Sequence, residues 1–187
     1  EAAADCLDSL EKAKQLVRLL LIYFDLRPDL NPVKVAQLIK DEIALLSQEP
    51  GPGIKIETDL HDPMPDLAPG GRPYVQHALR AVLKNAVEAV KKGSGTITVR
   101  AFAKSNGRGD DRLIIEVLDP GAGLSEDTRA KAFLPFFSTK NTVGVGLGLY
   151  AAKMALAQIK GEIELDNRPE GGAVARISLP LSGETGQ

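Results

Sequence analysis

The stretch from Asp119 to Leu149 reads DPGAGLSEDTRAKAFLPFFSTKNTVGVGLGL, and its punctuation decides the fold. It begins directly after an apolar run with strand character, so Asp119 is expected at a strand end, where a carboxylate can accept from an exocyclic amine. Gly121 and Gly123 beside it would let a planar ring approach the backbone with no Cβ in the way. Taken alone, Asp-Pro-Gly-Ala-Gly reads equally well as a plain turn. A short helix is expected near Glu126–Ala132. Phe133-Leu134-Pro135-Phe136-Phe137-Ser138-Thr139-Lys140 then gathers three of the chain's five phenylalanines. It reads as an apolar anchor for a short polar lid, with Lys140 free to swing onto phosphates. Gly144-Val145-Gly146-Leu147-Gly148-Leu149 opens a further helix, expected over about Leu147–Ile159, and backbone N–H groups at such a start make a phosphate cradle. It lacks the Gly-Lys-Ser/Thr ending of a P-loop and is not a dinucleotide fingerprint.

Upstream, Tyr74 to Val90 is a strongly marked amphipathic helix, with Val75, Leu79, Val82, Leu83, Ala86 and Val90 on one face. Asn85 sits on the flank of that apolar stripe, with Ala81 one turn before it and Glu88 near it. A neutral amide oxygen there can reach a hard cation already held by phosphates, because Mg²⁺ commonly takes one or two protein oxygens and leaves the rest to phosphate and water. By itself, an asparagine on a helix flank is most often just solvated.

The remaining elements follow from period and punctuation. Asn31-Pro32 marks a helix start and Glu49-Pro50-Gly51-Pro52-Gly53 a breaker, which places a helix from there to about Leu46. Strands are expected at Ile54–Leu60, Thr96–Ala103, Arg112–Leu118, Glu162–Asp166 and Ala173–Leu179, the second and third joined as a hairpin through Asn106–Asp110. Antiparallel pairs with a few helices imply an α+β two-layer sandwich over residues 31–187. Residues 1–30 read as a separate helical arm. Cys6, Leu10, Ala13, Val17, Leu20 and Phe24 form a coiled-coil seam, while Leu16, Leu19, Ile22 and Tyr23 make further faces apolar. Either this helix packs on its own domain, or it belongs to a four-helix dimerisation bundle.

Composition removes other function classes. The 187 residues carry 23 Lys+Arg against 25 Asp+Glu, a net charge of -2, so no basic excess points to nucleic acid and no charge run to a membrane surface. One cysteine, Cys6, gives no internal disulfide and no cysteine-based zinc site, and His61 and His77 are too few for a histidine metal cluster. The longest apolar run, Leu19 to Phe24, is far short of a membrane span, and the acidic start is unlike a signal peptide. The expected location is the cytoplasm, alone or as the cytoplasmic part of a larger protein.

The order of these pieces is more specific than any one of them. A helix Asn, Asp-x-Gly-x-Gly, a Phe-rich lid base and Gly-x-Gly-x-Gly-Leu together resemble the GHKL ATPases: gyrase, the heat-shock 90 chaperones, histidine kinases and mismatch-repair ATPases. Within them the chain looks like the catalytic domain of a sensor histidine kinase, and Phe-Phe-Ser-Thr-Lys followed closely by Gly-x-Gly-Leu-Gly-Leu is similar to short-lidded kinases of the nitrogen-regulation type. The likeness covers about residues 31–180, and Gly171-Gly172 in the last hairpin fits it too. It implies the Bergerat fold: a mixed sheet with helices on one face, ATP lying between helices and lid.

By carry-over, Asn85 would ligate Mg²⁺ and, with Lys140, serve catalysis. Asp119 would bind the adenine amine, Gly121 and Gly123 would shape the base pocket, and Gly144, Gly146 and Gly148 would contact phosphates. Glu88, Thr139, Val145 and Leu147 are placed with them at the nucleotide. The arm would be the second helix of a dimerisation hairpin, which implies a homodimer in the full-length protein, a phosphoacceptor histidine upstream of residue 1, and a response regulator's receiver domain as partner. Neither His61, in a Pro-rich loop, nor His77, on the polar side of the Asn85 helix, stands in an acceptor context.

Two positions depart from the pattern. Ala81 stands where the family usually has a polar residue, and Pro120 replaces the usual Asn. The alternatives to histidine phosphotransfer are an ATP-driven machine, a serine kinase and a nucleotide-binding regulatory module that signals by shape.

Overall fold

The computed structural model describes Ser9 and residues 31–46, 53–90, 94–105, 111–139 and 146–181. The helical arm, the turn at 106–110 and the lid residues 140–145 lie outside the described residues. In chain order the elements are α1 (Val35–Leu46), β1 (Ile54–Leu60), α2 (Arg72–Val90), β2 (Gly95–Lys104), β3 (Arg112–Asp119), α3 (Glu126–Lys131), α4 (Gly148–Ala157), β4 (Glu162–Asn167) and β5 (Ala173–Pro180). The strands form one mixed sheet in the order β1-β2-β3-β5-β4. Only the β1–β2 pairing is parallel; the other three are antiparallel. This is the expected α+β architecture.

Period 2 in the strands separates the two faces. Ile97, Val99 and Ala101 of β2, Leu113, Ile115 and Val117 of β3, and Ala175, Ile177 and Leu179 of β5 point inward and are buried. They meet Val75, Leu79, Val82, Leu83 and Ala86 of α2, which recur at helical spacing, together with Leu38 and Ile39 of α1 and Ala152 and Leu156 of α4. Each such Val or Leu contributes roughly 1.5–3 kcal/mol of burial, so α2, with eight buried residues, is the main beam of the helical layer.

The other face carries one register-locked row of charge. Asp59, Arg100, Glu116, Arg176 and Glu164 are direct neighbours across all five strands. Arg176 lies 2.9 Å from Glu116 and 3.8 Å from Glu164, and Arg100 lies 3.4 Å from Asp59. Exposed pairs add little stability. A slip of one residue in a strand would turn its charge toward the buried face and set an uncharged residue in the row, so the row fixes register.

Two local features differ from the sequence expectation. Helix α1 starts at Val35, not at Pro32, because Val33 exchanges both backbone hydrogen bonds with Leu67, at 3.0 and 3.1 Å, and holds the chain extended. Its Glu42 is buried on the helical face, where Gln76 donates at 2.6 Å and Arg80 at 2.8 and 2.9 Å. A buried carboxylate is tolerated there because those donors satisfy it, and the pair ties α1 to α2.

Candidate functional site

A cavity of about 560 Å³ opens between α2, the end of β3, the lid base and the start of α4. Four segments distant in sequence converge on it. From α2 come Ala81, Asn85 and Glu88, all on the flank beside the buried stripe. The strand end gives Asp119 and, after it, Gly123; the lid base gives Ser138 and Thr139; the last glycine stretch gives Gly146, Leu147 and Gly148.

Asp119 is the last residue of β3 and is 7% exposed. Burial holds its carboxyl above the usual carboxylate range; hydrogen bonds from the N–H groups of Gly121 and Ala173 and the charge of Arg168 pull the other way. The Gly121 N–H donates to Oδ1 at 2.9 Å, so one oxygen is oriented by its own turn. Gly172, at φ +86, sits so close behind that a Cβ there would run into the Asp119 carbonyl. That is why the last hairpin needs glycine at this point.

Gly121 does not line the cavity. It packs behind it, where a Cβ would fall 2.9 Å from the Cβ of Ala89 on α2. Its role in the structure is close approach of loop and helix. The loop continues to Ser125, which caps α3 by accepting from the Thr128 N–H at 3.1 Å.

The lid base is less of an anchor than three phenylalanines imply. Phe133 packs against the core with Lys153 Nζ 5.4 Å over its ring, and Phe137 lines the cavity. Phe136, at φ 64, turns outward and is 52% exposed, as is Leu134. Gly146, at φ +67, lies against this segment: a Cβ would collide with the Phe136–Phe137 backbone. Gly148 has open space where its Cβ would be. It starts α4, whose N-cap residue Leu147 makes no side-chain cap bond, and Gly148 and Leu149 of the first turn line the cavity. Leu147 is 3% exposed and is a core residue as well as a lining one.

Asn85, Glu88, Asp119, Gly123, Thr139, Gly146, Leu147 and Gly148 are thus brought together, while Lys140, Gly144 and Val145 lie outside the described residues. His77 departs from the polar-flank expectation: its Nε2 is buried with no hydrogen-bond partner among the described residues, and burial, with the Arg80 charge, lowers its pKa. Sequence reasoning missed Leu124, Thr128, Leu165, Ala173 and Ala175 in the lining. The two alanines and Leu165 follow from strand alternation once β4 and β5 are placed beside β3.

The family model for "Histidine kinase-, DNA gyrase B-, and HSP90-like ATPase" matches residues 70–183. The chain belongs to this ATPase family. Among curated members it is 31% identical over 164 residues to the nitrogen regulation protein NtrY of Azorhizobium caulinodans, covering 84% of this chain and 20% of that protein. It is 30% identical over 163 residues to the sensory histidine kinase/phosphatase NtrB of Rhodobacter capsulatus, covering 83% of this chain and 45% of that one. The chain thus spans about a fifth of the length of its first curated relatives. Among solved structures, full-length ShkA in complex with AMPPNP is 26% identical, with a TM-score of 0.74, covering 93% of this chain and 37% of that one. The nucleotide-free catalytic domain of histidine kinase ThkA shares the fold, at 22% identity and a TM-score of 0.70 over 81% of this chain and 95% of that domain.

The family match begins at the loop before α2 and ends just past β5, so it spans the elements that form the site, while α1 and β1 lie before it. No described helix is long and apolar enough to cross a membrane.

Proposed function

We propose that this chain is the ATP-binding catalytic domain of a sensor histidine kinase, transferring the γ-phosphate of ATP to a histidine on a helix upstream of residue 1. What carries the reading is the single cavity on which a buried strand-end carboxylate, a helix-flank amide and a glycine-opened helix N-terminus converge. Asp119 would accept from the adenine amine. The first amides of α4, with Gly146 and Gly148, would hold the phosphates, and Lys140, Gly144 and Val145 would complete that end.

The residues present suit Mg²⁺ brought in with the triphosphate. Asn85 and Glu88 offer hard oxygens on one flank of the cavity, and among the described residues no cluster of three or more His, Cys, Asp or Glu forms a protein cage. That donor set matches an ion that takes most of its ligands from phosphate and water. When bound, Mg²⁺ would neutralise charge developing on the transferred phosphoryl group. Asn85 would hold the ion and so orient the triphosphate.

Ala81 selects among the family's chemistries. Attack by water or a serine hydroxyl needs a positioned base, because both are protonated and weak nucleophiles near neutral pH. Alanine cannot abstract a proton, and Glu88 is the one carboxylate on this flank that can substitute. A histidine acceptor already presents a neutral lone pair at pH 7, its unperturbed pKa being about 6.5. Histidine phosphotransfer therefore loses least from Ala81. The arm at 1–30 would then be the second helix of a dimerisation hairpin, and a response regulator's receiver domain would take the phosphate onward.

The test is to extend the chain through its upstream helix and supply labelled ATP with Mg²⁺. The expected product is an acid-labile phosphohistidine on a dimer, with very slow ATP hydrolysis by residues 1–187 alone. Brisk turnover by that chain, or an acid-stable phosphoserine, would contradict the proposal. ATP binding with no phosphotransfer would instead favour a regulatory nucleotide module.

A further inference from the structure

We infer that the β4–β5 turn is a clamp for the base-binding loop, with Asn167 and Arg168 as positioning residues for the nucleotide; this rests on the reading of Asp119 as the adenine acceptor. Three successive residues, the last two of β4 and the first of the turn, hold the base-binding loop and the helix that follows it. Asp166 Oδ1 accepts from Arg129 Nη1 of α3 at 2.9 Å. The Asn167 amide clips Leu124 in both directions: its Oδ1 accepts from the Leu124 N–H at 2.6 Å, and its Nδ2 donates to the Leu124 carbonyl at 2.8 Å. Arg168 Nη1 donates to the main-chain carbonyl of Asp119 at 3.1 Å. The loop is thereby fastened at its start and near its end, and the helix after it is held as well.

This loop has little means of holding itself. Gly121, Ala122 and Gly123 have no side-chain donors or acceptors, and Pro120 has no N–H to give. A loop of that composition would have to be ordered by its ligand, at the expense of affinity. The clamp orders it beforehand. Arg168 is itself braced, because Glu170 Oε1 accepts from its Nη2 at 2.8 Å and from its Nε at 3.3 Å. The Arg168 N–H also donates to the Gly172 carbonyl at 3.0 Å, which seats the turn against the Asp119 carbonyl. The guanidinium adds a positive charge behind a buried carboxylate, opposing part of what burial does to it.

Asn167→Ala, Arg168→Met and Arg168→Lys, made in the whole 187-residue chain, separate this inference from the reading on which it rests. Without ligand, hydrogen exchange at the Gly121–Leu124 amides should quicken about tenfold in Asn167→Ala and Arg168→Met, as expected when a bond of this kind is lost. With ligand, Arg168→Met should bind adenosine about tenfold more weakly, yet bind Mg²⁺-tripolyphosphate as the wild type does. Arg168→Lys, which keeps a donor and the charge, should recover part of the adenosine affinity. Asn167→Asp, which keeps the acceptor for the Leu124 N–H, gives the exchange readout should Asn167→Ala not fold. Unchanged loop exchange, unchanged adenosine affinity, or equal losses for both ligands would overturn the clamp. Asp119→Ala is run alongside: undiminished adenosine binding there would sink the acceptor reading, while the ligand-free exchange still judges the clamp.

Discussion

The two ends of the cavity are built in opposite ways. At the base end, Asp119 closes β3, pairs with Ala173 of β5, is buried, and belongs to a loop held from behind by Asn167 and Arg168. At the other end, Thr139 and Gly148 are exposed, Phe136 turns outward, and α4 begins with uncapped amides. A group fixed by sheet pairing can discriminate between ligands that differ by one hydrogen-bonding atom. A rim of amides at a helix start accepts anionic oxygen in general. On this account, specificity belongs to the strand end, and binding strength and chemistry to the helix flank and glycine end.

The largest expected effect is on chemistry. Asn85→Ala should abolish phosphotransfer in the extended protein while leaving the melting temperature unchanged, because Asn85 flanks the buried stripe of α2 and is not part of it. Full activity, or a collapsed fold, would show that the amide has another role. Next is the base end. Asp119→Ala should weaken ATP at least tenfold, the loss of a hydrogen bond to a charged group being worth about 1.5–3 kcal/mol. Asp119→Asn should lose adenine preference yet melt at or above the wild-type temperature. Burial raises this carboxyl's pKa above the ordinary 3.8, so the folded state carries an ionisation cost that sets in as pH rises through that range and persists at neutrality. A lower melting temperature for Asp119→Asn would show that the charge is structural.

The glycines sharpen the contrast inside the phosphate end. Gly146→Ala forces a Cβ onto the Phe136–Phe137 backbone at positive φ and should cost about 1–3 kcal/mol or more in urea melts. Gly148→Ala enters open space in the first turn of a helix and should be neutral or stabilising by up to about 1 kcal/mol. Equal costs would mean that the lid base is not packed on Gly146. The smallest effect belongs to His77. Its folded pKa lies below the ordinary 6.5, so the unfolded chain takes the proton first as the pH falls. Stability should be full above that value and decline below it, by at most about 1.4 kcal/mol per pH unit. His77→Leu should flatten that acid limb in melts between pH 7 and 5.

The same contrast marks what the sequence could tell. Periodicity and glycine punctuation were enough for the strands and for α2, because each is signalled within its own segment, whereas the convergence of Asn85, Asp119 and Gly146 followed from the order of the motifs and the family resemblance. No local pattern marks Asn167 or Arg168, since their partners lie 43 and 49 residues away. Those contacts exist only once β5 is inserted between β3 and β4, and strand order leaves no local pattern. His77 was misplaced for a related reason: period 3.6 gives one face of a helix, not which further element closes over its flank. The early start assigned to α1 came from Asn31-Pro32, a local signal that the Val33–Leu67 bridge overrides.

The central claim is that a strand-end carboxylate makes this an adenine site. Calorimetric titration of the 187-residue chain with ATP and with GTP, each with Mg²⁺, tests it most directly. Guanine presents a carbonyl where adenine presents its amine, which would set two acceptors face to face at Asp119. The account predicts ATP binding at least tenfold tighter than GTP, and equal affinity for the two would contradict it.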